Sequence, residues 1–259
     1  MTSGVEPLAT ETVDALNVKV FDDRAALGAA AGADVAEALR GLLRSQELVR
    51  VVFAAAPSQS GMLATLAKAE AVDWSRVVAL HMDEYLGLEA GAPQSFGAFL
   101  RDSLFDTVNP GEVHLIDGQR DADEEAFRYA ALLDRAPVDV VCMGIGENGH
   151  LAFNDPPVAD FEDPLLVKTV ELDEASRQQQ VNDGMFPSIG QVPTRAITLT
   201  LPALLSGARL FCVVPGETKR EAVRRSLRGP VTTDCPASVL RRHPNCVLYL
   251  DADSYDGPV

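Results

Sequence analysis

A chain of 259 residues, 47% hydrophobic and 23% charged, is long enough to bury a sizeable core, and its composition excludes a disordered tail or a peptide hormone. Lys+Arg 22 against Asp+Glu 38 leave a formal net charge of -16, which repels phosphate backbones and anionic lipid heads, so nucleic acid and membrane surfaces are poor partners. An anionic ligand must be held by a local group of backbone amides and one or two cations against that global field.

Residues 1–15 carry no strong element signal and no basic region leading into an apolar one, so they read as a weakly structured extension rather than an export signal. NVKVF (17–21) then reads as a strand, residues 24–45 as an Ala/Leu-rich helix, ELVRVVFAA (47–55) as a strand, residues 61–71 as a helix and SRVVALHM (75–82) as a strand. Residues 122–135 read as helix, VDVVCMG (138–144), RAITLTL (195–201) and ARLFCVV (208–214) as strands, 218–227 as helix and NCVLYLD (245–251) as a last strand. Continuously apolar strands separated by helices predict an α/β, doubly wound, mainly parallel sheet with helices on both faces, a Rossmann-like single domain over 1–259. The longest apolar runs, 51–57 and 210–215, fall far short of the roughly 20 residues that a spanning helix needs. Cys142, Cys212, Cys235 and Cys246 are scattered without a C-x-x-C pair, which reads as buried, reduced thiols in a cytoplasmic protein rather than a disulfide or zinc framework.

In such a sheet the ligand crevice lies beyond the carboxyl ends of the strands, so the residues just after each strand carry the chemistry. AAAPSQSGM (54–62) leaves a strand and enters a helix with small hydroxylated residues, an arrangement that either cradles a phosphate on backbone N–H groups or is a plain turn capped by Ser58 or Ser60. HMDEYLGL (81–88) places Asp83 and Glu84 at a strand end, as a general base or as caps of the next turn. MGIGENGHLAFNDPP (143–157) formally satisfies G-x-G-x-x-G through Gly144, Gly146 and Gly149. Asn154, Asp155, Pro156 and Pro157 stop any helix behind it, however, which the dinucleotide fingerprint requires. The glycines instead let the backbone pass close to a ligand, with His150 at the turn and Asp155 near enough to orient it, against the plainer alternative of a structural histidine. VVPGETKREAV (213–223) carries Lys219 in the first turn of a helix, either as a point charge for phosphate or as a solvated helix start.

These four pieces, in this order, resemble the glucosamine-6-phosphate deaminase/isomerase family, which also includes the 6-phosphogluconolactonases, and the likeness runs from the first strand through TTDCPASVLRRHPNCVLYLD. MDEY followed by SFGAFL resembles the deaminase branch in particular. The resemblance implies that Asp83 moves a proton between C1 and C2 of the sugar, with Glu84 in the same motif, and that His150 opens the ring by protonating O5. It also implies that Ser58, Gln59, Ser60, Gly61 and Lys219 hold the phosphate, with no metal and no organic cofactor. Three places depart from the deaminase pattern. The first loop is Pro57-Ser58-Gln59-Ser60-Gly61; Asn148 and Asp155 stand where an Asp and a Glu are usual; and 178–188 lacks the expected arginine, leaving Arg177 or Arg195 to substitute.

The expectation is therefore an amino-sugar phosphate deaminase/isomerase acting on a sugar 6-phosphate, compatible with a homo-oligomer. The alternatives are a 6-phosphogluconolactonase-type hydrolase, in which His150 would activate water, and a sugar-phosphate sensor that binds without turnover.

Overall fold

The computed structural model describes residues 5–89 and 91–257. The first two strands, β1 (Ala9–Val13) and β2 (Leu16–Phe21), form an antiparallel hairpin. The weakly structured extension expected over 1–15 is therefore corrected at its C-terminal end, where Ala9–Val13 forms an edge strand; residues 1–4 lie outside the described residues. From β2 the chain enters α1 (Arg24–Leu43), capped by the Asp23 side chain, which accepts from the Ala26 N–H.

β3 (Val49–Phe53), β4 (Val77–His81), β6 (Glu112–His114), β7 (Val140–Met143), β10 (Arg209–Val214) and β11 (Cys246–Asp251) run parallel to β2. The sheet order is β1-β2-β11-β10-β7-β3-β4-β6. Successive side chains of a strand point to opposite faces, and both faces are buried here. Val51 and Phe53 pack with α1 and with α2 (Ser60–Ala67) on one side, whereas Val52 and Ala54 join the core of the other. That second core holds α5 (Ala122–Leu133), α7 (Leu201–Leu205) and α8 (Arg220–Arg228). The result is the doubly wound α/β sheet expected from the strand and helix pattern.

One predicted strand lies elsewhere. β9 (Arg195–Leu199) is not in the main sheet but pairs antiparallel with β5 (Asp83–Tyr85) and β8 (Val167–Glu171) in a second, three-stranded sheet. β5 begins two residues after β4 ends, so the small sheet is tethered to the carboxyl end of the large one. α3 (Phe96–Leu100) continues through a π-helical turn at Arg101–Phe105 into α4 (Asp106–Val108), and α6 (Glu174–Asn182) follows β8.

Candidate active site

The carboxyl ends of β3, β4, β7 and β10, four adjacent or neighbouring strands, open on one cleft of about 250 Å³. Its walls include Ser58 and Gln59 after β3, Asp83 after β4, Gly144, Gly146 and His150 after β7, and Lys219 after β10. The residues read from four separate sequence segments are thus brought together by the strand order.

Asp83 is buried, and its carboxylate has no hydrogen-bond partner among the described residues. Burial, and then the charge of Glu84, lift its carboxyl well above the ordinary carboxylate range. Part of that dry environment is aromatic. Phe96 and Phe153 line the cleft, stack on each other at 5.7 Å and both pack against Tyr85, two residues after Asp83.

Glu84 points elsewhere. Its carboxylate accepts from the N–H groups of Tyr85, Phe96 and Gly97 at 3.0, 3.1 and 2.9 Å and from the Ser95 hydroxyl at 3.0 Å. Burial pushes this carboxyl up while those four donors pull it down. It closes the N-terminus of α3, where a helix leaves N–H groups unpaired, and it does not line the cleft. The catalytic role expected for Glu84 is corrected to a helix-end anchor beside Asp83.

The β7 loop turns on its glycines. Gly146 donates its N–H to the His150 carbonyl and accepts from the Gly149 N–H, and Gly149 has a φ of +92°, the left-handed region that favours glycine. A Cβ on Gly146 would come within 2.1–2.4 Å of the His150 ring atoms. The imidazole therefore lies against bare backbone.

His150 Nδ1 lies 2.8 Å from Asn148 Oδ1 and 2.9 Å from Asp155 Oδ1. The Asn148 amide is oriented by its other bonds: Oδ1 accepts from the His150 N–H at 3.0 Å and Nδ2 donates to Asp155 Oδ1 at 2.9 Å. Two acceptors facing Nδ1 place a proton there, which leaves Nε2 to accept or deliver a proton in the cleft. Burial alone would raise the Asp155 carboxyl, but hydrogen bonding and charge from His150, with Asn148, outweigh it and hold Asp155 below its ordinary value. Asp155 is thus the ionic partner and Asn148 a neutral one.

The cleft wall after β10 carries Lys219, 6% exposed, with no carboxylate or hydrogen-bond acceptor on its Nζ among the described residues. Burial lowers its pKa; the charges of Asp183 and Glu147 partly offset this. Lys219 closes the short turn Glu217–Lys219, which faces the turn Pro57–Gln59 across the cleft. The Asp251 carboxylate accepts the Gly216 N–H at 3.0 Å on both oxygens and fixes the bend that delivers the lysine. A buried, unpaired cation beside an open cleft is a site for an anion.

Gln59 is fully buried and donates Nε2 to the Val213 carbonyl at 3.1 Å and to Ser58 Oγ at 3.1 Å, so it braces the β3 loop against β10. Ser60 and Gly61 do not reach the cleft wall. Gly61 serves the packing of α2 on α1: a Cβ on Gly28 would meet the Gly61 backbone at 2.8 Å. Of the five residues expected to hold the phosphate, Ser58, Gln59 and Lys219 line the cleft, and Ser60 and Gly61 form the first turn of α2.

Neither candidate arginine is here. Arg177 donates to the carbonyls of Ile189 and Val192 at 2.7 and 3.1 Å, and Arg195 sits 3.4 Å from Glu171, outside the cleft wall. The arginine that does line it is Arg24, the first residue of α1. Sequence reasoning passed over it, although Arg24 lies three residues past the end of β2, where the strand-end rule applies. Gln179, Gln180 and Asp183 also line the cleft, brought in by α6 and the residue that ends it; no motif in the sequence marks them.

A doubly wound sheet whose strand ends unite a dry carboxyl group, an oriented imidazole and an unpaired lysine defines an acid–base enzyme site for a small anionic substrate. The family model described as glucosamine-6-phosphate isomerases/6-phosphogluconolactonase matches residues 22–248, and the chain belongs to that family. A glucosamine-6-phosphate deaminase of Exiguobacterium sibiricum is 35% identical over 216 residues, 82% of each chain. One from Exiguobacterium sp. (strain ATCC BAA-1283 / AT1b) is 40% identical over 187 residues, 71% of each. Among solved structures, a monomeric glucosamine-6-phosphate deaminase superposes with a TM-score of 0.84 at 27% identity, covering 92% of this chain and 98% of that one. A 6-phosphogluconolactonase from Shewanella baltica OS155 shares the fold, with a TM-score of 0.75 at 21% identity over 93% and 97% of the two chains.

Proposed function

We propose that this chain is a glucosamine-6-phosphate deaminase that converts a hexosamine 6-phosphate to the ketose 6-phosphate and ammonia. The phosphate binds at Lys219 and the Ser58 turn. His150, through Nε2, delivers a proton to the ring oxygen while the O1 hydroxyl releases its own to solvent, so that the C1–O5 bond breaks and the C1 aldehyde forms. Asp83 then takes the proton from C2 as O1 is protonated, giving the enolamine, and returns a proton to C1 as the amine gives one up, which leaves a C2–N double bond; water hydrolyses this imine to ketose and ammonia. Asp155 holds the imidazole's orientation and charge, and Asn148, hydrogen-bonded to both residues, fixes their geometry.

The observation that carries this reading is Asp83: a buried carboxyl with a raised pKa and no hydrogen-bond partner among the described residues, on the wall of the cleft that His150 also lines. A carboxylate tuned upward is a stronger base than an ordinary one, as abstraction of a carbon-bound proton needs. The deaminase relatives, at 35% and 40% identity, support the same assignment. A reducing, cytoplasmic setting goes with it, supported by four buried cysteines that form no disulfide.

The test is a turnover screen of the purified protein over hexosamine 6-phosphates, hexose 6-phosphates and 6-phosphogluconolactone, with ammonia, ketose and acid release read separately. Stoichiometric ammonia and ketose from glucosamine 6-phosphate is the expected result. Acid release from the lactone without ammonia from any amino sugar would assign the hydrolase activity instead. Binding of these compounds without any turnover would assign a sensor.

A further inference from the structure

The cleft holds one buried lysine, yet a sugar phosphate near neutral pH carries close to two negative charges. Within a chain of net charge -16, the second charge needs a local cation too. Arg24 is the other cationic side chain on the cleft wall. It is exposed at the mouth, spends one N–H on the Pro57 carbonyl, and has no carboxylate partner among the described residues. The adjacent Asp23 carboxylate is engaged as the α1 cap, accepting from Ala26 at 2.8 Å. Arg24 therefore presents a guanidinium with unused donors over the turn that carries Ser58.

The packing explains how a residue of α1 comes to stand over a loop after β3. Gly28 and Gly61 bring the backbones of α1 and α2 into direct contact, leaving no room for a Cβ on Gly28. The same approach sets the start of α1 beside the start of α2, with the Arg24 carbonyl 3.7 Å from the position of a Cβ on Gly61. A planar fork of donors suits a phosphate edge, which a lysine serves only as a point charge.

We infer that Arg24 is the second phosphate-binding cation of the site, gripping the substrate's 6-phosphate from the mouth while Lys219 holds it from within. This rests on the sugar-phosphate reading above and names the arginine that completes it.

The experiment compares wild type with Arg24→Ala, Arg24→Gln, Arg24→Lys and Lys219→Ala, measuring KM and kcat for glucosamine 6-phosphate and the inhibition constant of inorganic phosphate. Arg24→Ala should raise both KM and the phosphate inhibition constant at least about tenfold, with a smaller change in kcat, because a group remote from C1 and C2 contributes mainly uniform binding. Arg24→Gln, which keeps a donor for the Pro57 carbonyl but loses the charge, should behave like Arg24→Ala, and Arg24→Lys should recover part of the loss. Overturning results are distinct. An unchanged phosphate inhibition constant in Arg24→Ala, with a raised one in Lys219→Ala, rejects Arg24 and leaves the phosphate site standing. Full recovery by Arg24→Gln would make Arg24 a tether for the Pro57 turn and reject the proposal. Unchanged phosphate inhibition in both alanine variants would reject the sugar-phosphate reading itself.

Discussion

Gly146 and His150 show how little room the site leaves at the scale of one methyl group. Because an alanine Cβ at 146 would fall 2.1 Å from His150 Cε1, Gly146→Ala must move the ring or the loop. Misplacing a catalytic proton donor by about an ångström costs on the order of a hundredfold in rate. The expected outcome is that loss in kcat/KM with inhibition by inorganic phosphate kept within about threefold, since Lys219 is carried by a different strand end, after β10. Asn148 offers a second test. It contacts the imidazole at 2.8 Å but carries no charge, so Asn148→Asp adds a second anion beside the one on Asp155 and favours the protonated ring. The alkaline limb of the kcat/KM profile should move to higher pH; a limb that stays or moves down would separate position 148 from the ring-opening acid. At this scale the sequence was informative where a residue follows a strand with an unusual neighbour: Asp83, His150, Asp155 and Lys219 all line or support the cleft. Glu84 stands apart at the start of α3, and Ser60 and Gly61 open α2 off the cleft wall; a motif does not reveal which of its residues face the ligand. Burial also set His81 apart from catalysis: it lies just before Asp83, but its Nε2 accepts from the Ile116 N–H at 2.8 Å and its pKa is pushed down to about 3.

Among the elements, α3 depends most on a residue outside itself. Glu84 accepts three backbone N–H groups and one hydroxyl at that helix start, and a buried carboxylate so employed cannot be replaced without leaving donors unpaired. Glu84→Gln should destabilise the fold by about 2 kcal/mol or more, read by denaturant unfolding. It should also relieve part of the like-charge pressure on Asp83. Asp83 would then lose its proton at lower pH, so the acid limb of the kcat/KM profile should move down; an upward move would contradict the coupling. The long strands and helices were legible because β-branched runs and Ala/Leu-rich helices differ in period. β9 was recognised as a strand but not as a member of the second sheet, since an apolar alternation specifies a buried face and not the partner. β5 and β6, three residues each, and β8, whose burial alternates only in part, gave too short or too weak a pattern to separate from loop.

For the molecule as a whole, alternation of strand and helix revealed the doubly wound class, whereas the order β10-β7-β3-β4, which makes four distant loops neighbours, depends on pairings that no local pattern encodes. The same architecture fixes a conflict between stability and activity. Asp83 has its carboxyl raised by burial in the folded state, so folding favours the protonated form. Its stabilising contribution relative to the charged form is complete below the unfolded carboxyl range and lost as pH rises through the folded value. At neutral pH the ionised group is a burden, and Asp83→Asn should raise the Tm there, with the gain shrinking to nothing below about pH 4. A lower Tm at neutral pH would mean that the carboxylate has an unrecognised partner. The measurement that tests the central claim most directly is ammonia release from glucosamine 6-phosphate by wild type and by Asp83→Asn, with inorganic phosphate inhibition measured alongside. Turnover by the wild type and a loss of at least about a hundredfold in the variant, at unchanged phosphate inhibition, is the result this structure predicts; turnover within about threefold of wild type in Asp83→Asn would contradict it.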